Sequence, residues 1–448
     1  MGVYLLLVVG ATVALTDATT ACASFPACGG GWTLPASTDG WVALGHRLAA
    51  VGVGLLGVAT AVTAVQEHVS RRVLGALAVA GVLYPAQAVV GAIVASSGSG
   101  PVLSAVHLAL GMTIFGALVL ALAWELELRT GDPDEEPVGY PERDLPLAED
   151  REPSIPTDPW ARRKATLRAY VTLTKPRLMW LLCLVAAAAM ALAGGPGLTP
   201  RTVVLTLAGG VLSIGASGTF NHVLERDIDR RMERTSDRPL AVDLVPVRNA
   251  VAFGLTLAAA SLAAFAAVNW LAAVLGLAAI AFYSVVYTLL LKPNTVQNTV
   301  IGGAAGALPA LIGWAAVTGS VDWGGLLLAT VIFLWTPAHF YNLALAYKDD
   351  YERGGFPMMP VVRGETETRK HVLYYLGATF IAAGALATAP GLGGAYLLAA
   401  VGLGVVFLWA VVRLHYEQTE SAAFRAFHAS NAYLGALLLA VVVDALAV

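Results

Sequence analysis

Apolar stretches of about 20 residues alternate with short polar clusters along this chain of 448 residues. A bilayer core of about 30 Å takes a helix of that length to cross. The pattern predicts spans at 3–20, 41–65, 73–95 and 101–124, then a polar stretch. Further spans follow at 177–195, 202–220, 249–267, 269–291, 299–317, 324–346, 372–389, 393–413 and 428–447. The runs are rich in Ala, Gly, Val and Leu, which suits close helix packing in lipid, and none shows the two-residue alternation of a barrel strand. The first run has no Lys or Arg ahead of it, as a signal peptide would, and reads as a helix. The fold class is therefore all-α: a polytopic membrane protein with a four-helix N-terminal bundle followed by nine helices.

Composition narrows the function. Hydrophobic residues make up 57% and Asp, Glu, Lys and Arg 13%, about half the share of a soluble domain; mean hydropathy is +0.71. That excludes a disordered chain, nucleic-acid binding and an ordinary soluble enzyme, and leaves membrane lipid as a partner. The net charge of −3 hides an uneven distribution. Ten of the 30 acidic residues fall between Asp132 and Asp158, in a stretch that also holds seven prolines from Pro133 to Pro159. Such a segment is extended and solvated, so the chain divides into 1–124, a linker 125–165 and 166–448. Arg71, Arg72 and Arg129, the basic cluster Arg162–Arg177, the Arg-rich loop 221–248, Lys292, Lys348 and Arg369 all fall on one side of the membrane, which the charge bias of membrane loops makes cytoplasmic. Cys22 and Cys28 share the one long outer loop, where a disulfide persists and a redox role is the alternative. Cys183 reads as a small core residue.

The strongest chemical pattern is Asn221-His222-Val223-Leu224-Glu225-Arg226-Asp227-Ile228-Asp229. Asn221, Glu225 and Asp229 are spaced i, i+4, i+8 and share one helix face where the sixth span meets the cytoplasm. Acids at a membrane boundary are costly. Oxygen donors at this spacing suit Mg²⁺, which takes a few carboxylates together with substrate phosphates. Arg230, Arg231, Arg234, Arg238 and Lys292 are candidates to neutralise phosphate oxygens. A solvated helix end would account for the arginines but not for the acid stripe. A second acidic cluster, Lys348-Asp349-Asp350-Tyr351-Glu352-Arg353, follows the tenth span on the same side. Two acidic helix ends beside an apolar bundle predict a transferase acting on a prenyl diphosphate, whose departure is driven electrostatically without a protein nucleophile.

These residues belong to a longer series that resembles the UbiA-type intramembrane prenyltransferases, most of all their haem-farnesylating branch, the protoheme IX farnesyltransferases (haem o synthases). The resemblance covers about 168–447. It runs through Leu173–Arg177 (LTKPR), Asn221–Leu240 (NHVLERDIDRRMERTSDRPL), Tyr287-Thr288 with Lys292, Gly302–Pro309 (GGAAGALP), Trp335–Tyr341 (WTPAHFY) on to Gly364, and His428–Asn431 (HASN). The superfamily's first motif, N-x-x-x-D-x-x-x-D, has Glu225 as its middle acid here. Its second, D-x-x-x-D, gives way to Asp349-Asp350 with Arg353 and Gly354 at the later positions.

The resemblance implies a nine-helix UbiA-type bundle in which Asn221, Glu225 and Asp229 are catalytic ligands of Mg²⁺ and Asp349 or Asp350 serves a second metal. It further implies that Arg234, Arg238 and Lys292 bind diphosphate. The implied substrates are farnesyl diphosphate and haem b: farnesyl joins a vinyl group, water adds, diphosphate leaves and haem o results, at the cytoplasmic face of the cell membrane. His339, inside a span where an ionisable group is costly, either contacts haem or diphosphate or bridges two helices. His222 and His428 read as solvated or hydrogen-bonding groups at helix boundaries, and Gly302–Gly306 as a close-packing surface.

Residues 1–124 hold a second constellation. His46 and His107 lie near the outer ends of the second and fourth spans, at equal depth, and suit the axial positions of a haem; hydrogen bonding to a neighbour such as Gln87 is the alternative. With Cys22, Cys28, Gln87 and these histidines, the region resembles one four-helix half of the haem a synthases, which normally have two. That implies a bis-His haem here, with haem a synthase or a second copy of the chain as partner. Ala43 stands where a Glu is expected. Two other functions fit parts of the pattern: a prenyltransferase for a quinone or lipid acceptor, and a haem-binding or haem-transfer protein with an inactive second half. Prenyl chain length, the reacting vinyl, oligomeric state and the second metal's ligands depend on packing that this pattern does not encode.

Overall fold

The computed structural model describes residues 1–15, 22, 28, 34–97, 100–141 and 156–447. Every regular element among them is helical. Eleven segments are long and apolar enough to cross a membrane, which makes this a multi-pass membrane protein. Two of the thirteen expected spans fall outside that set. The first, 3–20, is described as helix Gly2–Leu15, and 16–20 lie outside the described residues. The other, 372–389, belongs to helix Glu365–Leu386, whose opening turns carry Glu365, Glu367, Arg369 and Lys370.

Local chemistry sets the boundaries. Pro101, Pro159, Pro176 and Pro200 each open a helix, where the missing N–H would be unpaired anyway. Side-chain oxygens of Ser37, Asp158, Thr199 and Asn269 accept first-turn N–H groups. Gly194 and Gly319 end their helices with positive φ.

The linker is shorter than composition suggests. Helix Pro101–Thr130 continues past residue 124 and Pro159–Leu173 is already helical, because both stretches keep good helix formers up to the prolines; 142–155 lie outside the described residues. The described part is also anchored. The Glu135 carboxylate accepts N–H bonds from Glu365 and, at 3.0 Å, from Thr366, so it satisfies orphan donors of a helix N-terminus and complements its dipole.

The chain forms two compact units. The first comprises Met1–Asp132, Arg369–Gln418 and His428–Val448. Its centre is aromatic: the Tyr4 ring stacks on Phe380 at 4.6 Å, and Phe115, Phe407 and Tyr433 surround the pair. Asp444 accepts the N–H groups of Gly393 and Tyr396, both at 2.8 Å. Cys22 and Cys28 are disulfide-bonded, the structural reading of that pair.

The second unit comprises Pro133–Thr368 and Thr419–Phe427. Its helices approach closely through small residues: a Cβ at Gly313 would lie 2.3 Å from the Ala186 carbonyl, and one at Gly303 3.1 Å from that of Phe333. The glycines near 302 are thus the packing surface expected of them. Helix Trp270–Ala281 runs on as a π-helical stretch, Phe282–Leu291; such widened turns often mark functional sites.

Candidate active site

Helix Pro200–Leu224 ends at Glu225, and a single turn, Arg226–Asp229, carries the chain onward. The i→i+4 backbone bonds persist across the junction: Glu225 N–H donates to the Asn221 carbonyl at 2.9 Å and Asp229 N–H to that of Glu225 at 2.7 Å. The i, i+4, i+8 stripe therefore stays on one face. All three side chains are buried, at 2–3% exposure, whereas Asp227 between them is exposed.

Three cations meet the stripe. Lys292 Nζ lies 2.6 Å from Glu225 Oε1. Arg238 Nη1 donates to both Asp229 oxygens, at 2.7 and 2.9 Å, and lies 3.9 Å from Glu225. Lys175 Nζ donates to Asn221 Oδ1, and lies 3.4 Å from the Tyr283 hydroxyl. Lys175 is held by its backbone, in the left-handed region at φ 54° between two helices. Gly218 makes room for it, since a Cβ there would stand 2.9 Å from the Leu173 carbonyl and 3.2 Å from the Lys175 side chain. Lys175 is the site residue that sequence reasoning placed only among the topology-setting charges; its position in the LTKPR stretch before a span was the available signal.

The π-helical turn orients Asn221. Thr288 Oγ1 donates to the Tyr283 carbonyl at 2.9 Å and accepts from Asn221 Nδ2 at 3.2 Å. This fixes the carboxamide with its oxygen toward Lys175. The two carboxylates differ electrostatically. Burial raises the Glu225 pKa, but Lys292, Lys175 and Arg238 outweigh it and hold the group below the ordinary carboxylate value. Burial and the neighbouring Glu225 charge raise Asp229 above its ordinary value against the opposing Arg238.

The second acidic cluster is arranged differently. Asp349 is exposed. Asp350 is buried; one oxygen accepts the Glu233 N–H at 2.8 Å and faces Arg353 at 3.3 Å, and its other oxygen has no hydrogen-bond partner. Arg234 lies over the rings of Tyr347 and Tyr351, at 4.5 and 5.2 Å, and donates to the Tyr351 hydroxyl. Arg230 is occupied by Asp243 at 2.8 Å and by the Ala241 carbonyl. His339 is sandwiched between Trp335 and Phe427, at 4.3 and 4.2 Å, and so joins helix Trp323–Ala346 to the start of helix Glu420–Ala447. His222 is buried, which excludes the solvated alternative, and its Nδ1 has no hydrogen-bond partner; His428 is exposed.

Among the described residues no three His, Cys, Asp or Glu side chains form a ready-made metal cage. The donor set is instead two carboxylates and one carboxamide on a single face, backed by fixed cations. It fits a hard divalent ion that brings phosphate oxygens with it, and the unpartnered Asp350 oxygen is a further donor of the same kind. From this polar end an apolar cavity runs into the bundle, lined by Lys175, Ser217, Gly218 and Tyr283 and further in by Cys183, Ile312 and Phe265. Cys183 is half-buried and lines this space, where sequence alone placed it in solid core.

In the first unit, His46 lies on helix Thr38–Gln66 and His107 on helix Pro101–Thr130. Gln87 Nε2 lies 3.3 Å from His107 Nε2. Both Nδ1 atoms are buried without a hydrogen-bond partner.

Comparison with known proteins gives consistent results. The sequence model of the UbiA prenyltransferase family matches residues 181–435, and that of a cytochrome oxidase assembly protein family matches 36–141. The protoheme IX farnesyltransferase of Haloquadratum walsbyi is 63% identical, over 100% of this chain and 95% of its own. Protoheme IX farnesyltransferase 1 of Natronomonas pharaonis is 65% identical, over 100% of this chain and 97% of its own. Among solved structures, a digeranylgeranylglyceryl phosphate synthase covers 63% of this chain with all of its own, at a TM-score of 0.54 and 16% identity, a likeness of fold.

Proposed function

This chain belongs to the UbiA prenyltransferase family, and from that premise we propose that it transfers the farnesyl group of farnesyl diphosphate to a vinyl group of haem b, giving haem o and diphosphate. The observation that carries this reading is the buried Asn221/Glu225/Asp229 face, opposed by Lys175, Arg238 and Lys292 at the mouth of an apolar cavity.

In the reaction the allylic C–O bond breaks and its electron pair leaves with diphosphate. The vinyl π pair forms the new C–C bond, and water captures the resulting cation beside the porphyrin and gives up a proton. Asn221, Glu225 and Asp229 would hold Mg²⁺, with Asp350 or the exposed Asp349 serving a second ion. Bound there, the metal supplies charge that stabilises the departing diphosphate. Lys292 and Arg238 pair with the carboxylates and Lys175 with the Asn221 carboxamide, and all three then turn to diphosphate oxygens, so the buried charge stays compensated before and after substrate enters. Arg234, restrained on two tyrosine rings, is a further diphosphate ligand. The apolar cavity holds the tail and keeps water from the cation. His339, stacked between aromatic rings, would set the wall against which haem lies. The reaction takes place on the cytoplasmic side of the cell membrane.

The assay is direct. Membranes holding the protein, given haem b, farnesyl diphosphate and Mg²⁺, should yield haem o by mass spectrometry; EDTA should stop it and added Mg²⁺ restore it. Prenylated quinone with no haem o overturns the reading.

A separate observation supports a second role. The unpartnered Nδ1 atoms of His46 and His107 fit a haem held between the two rings, in the region matched by the cytochrome oxidase assembly model. The N-terminal helices would then present haem as a module joined to the transferase by the linker between helices Pro101–Thr130 and Pro159–Leu173, with haem a synthase or a second copy of the chain as partner. The full-length protein should show a bis-His haem spectrum that His46→Ala and His107→Ala each remove. An unaltered spectrum in both variants refutes the assignment.

A further inference from the structure

We propose that Phe265 is the stop that sets the length of the prenyl chain, with Gly210 lining the open stretch of cavity just above it. The inference rests on the farnesyl-transfer reading and names the residues that select the farnesyl length. The cavity opens at the polar site, where Lys175 both lines it and bonds Asn221. It follows helix Pro200–Leu224 inward past Ser217 and Gly210. Two aromatic rings line it. Tyr283 is at the polar end beside Lys175. Phe265 is deep inside: its ring abuts Gly209, 12 residues before Asn221, or about 18 Å along the helix at 1.5 Å per residue, and Thr206 and Leu207 of the adjoining turn line the same end.

The Phe265 ring is fixed in place. It is fully buried and packs on Ala272 and Ile312. Two glycines grip it, for a Cβ at Gly209 would stand 2.8 Å from the ring and one at Gly276 2.4 Å. A ring held by two helices cannot swing aside for a longer tail, and cores of this density yield little. Gly210 is the complementary feature. It lines the same cavity, yet a Cβ there would meet nothing within 4 Å. The space in front of it is open because the residue has no side chain. It stands 11 residues, or about 16 Å, from Asn221, just short of the stop.

The two positions predict opposite changes. Phe265→Ala removes the stop and admits one more isoprene unit. Gly210→Leu projects into the passage and excludes the last one. Full-length protein is given haem b, Mg²⁺ and an equimolar mixture of geranyl, farnesyl and geranylgeranyl diphosphates, and the prenylated haems are resolved by mass. Phe265→Ala should raise the ratio of geranylgeranyl to farnesyl product by about tenfold or more, and Gly210→Leu should raise that of geranyl to farnesyl product by a similar factor, within the range of discrimination that apolar pockets achieve. Ratios carry the test, so a variant that folds poorly still reports through whatever product it makes. If Phe265→Ala makes none, Gly210→Leu decides alone. Wild-type ratios in the variants that make product overturn the assignment while farnesyl transfer stands. No prenylated haem from the wild-type protein overturns farnesyl transfer itself.

Discussion

Asp229→Ala is expected to lower haem o formation by about 10²–10³-fold, the scale on which removing one electrostatic stabiliser of a developing charge slows an enzyme. Asp229 is buried and receives both hydrogen bonds from Arg238 Nη1. Its loss removes a metal-ligand oxygen and leaves the guanidinium to face the diphosphate in altered geometry. Asp229→Asn should fail as well, because shape is kept while the charge that attracts a cation is lost. Asp227→Ala provides the control. That carboxylate is 85% exposed and pairs with Arg226 at 3.9 Å, so activity should stay at the wild-type level. Turnover measured across a Mg²⁺ titration separates a weakened metal site, which higher Mg²⁺ partly rescues, from a general loss of fold. Wild-type turnover in Asp229→Ala would remove this residue from the mechanism.

Lys292→Met should act on both substrate binding and stability. Lys292 is the nearest cation to Glu225, at 2.6 Å, and its ammonium also rests over the Phe356 ring at 4.2 Å. Removing one member of a buried ion pair typically costs about 3 kcal/mol or more, because the other charge is left uncompensated. Arg238, 3.9 Å from the same carboxylate, offsets part of that. The KM for farnesyl diphosphate should rise by about tenfold, equivalent to about 1.4 kcal/mol. Lys292→Arg should restore much of the KM, since a cation returns, whereas a purely structural role would show in unfolding alone. An unchanged KM with a lowered unfolding temperature would make Lys292 a packing residue.

Much of this was legible in particular residues. Asn221, Glu225 and Asp229 declared a shared face through their spacing, and the structure keeps that face because the helical hydrogen bonds survive the break at Glu225. Lys175 was less legible. Its role depends on a left-handed backbone turn and on the absence of a side chain at Gly218, and neither has a period in the sequence. Asp349 and Asp350 looked equivalent as neighbours, yet one is exposed and the other buried against Glu233 N–H, because adjacent helical positions point about 100° apart.

By itself the sequence determined the all-helical, membrane-spanning class, the acid stripe and the division of polar from apolar segments. Those follow from hydrophobic length and local periodicity, which are properties of contiguous residues. Only the tertiary structure decided which cations meet the stripe, that Thr288 orients Asn221, and that Lys175 and Phe265 line one cavity. These contacts join helices dozens of residues apart, and they are fixed by which small residues allow two backbones to approach.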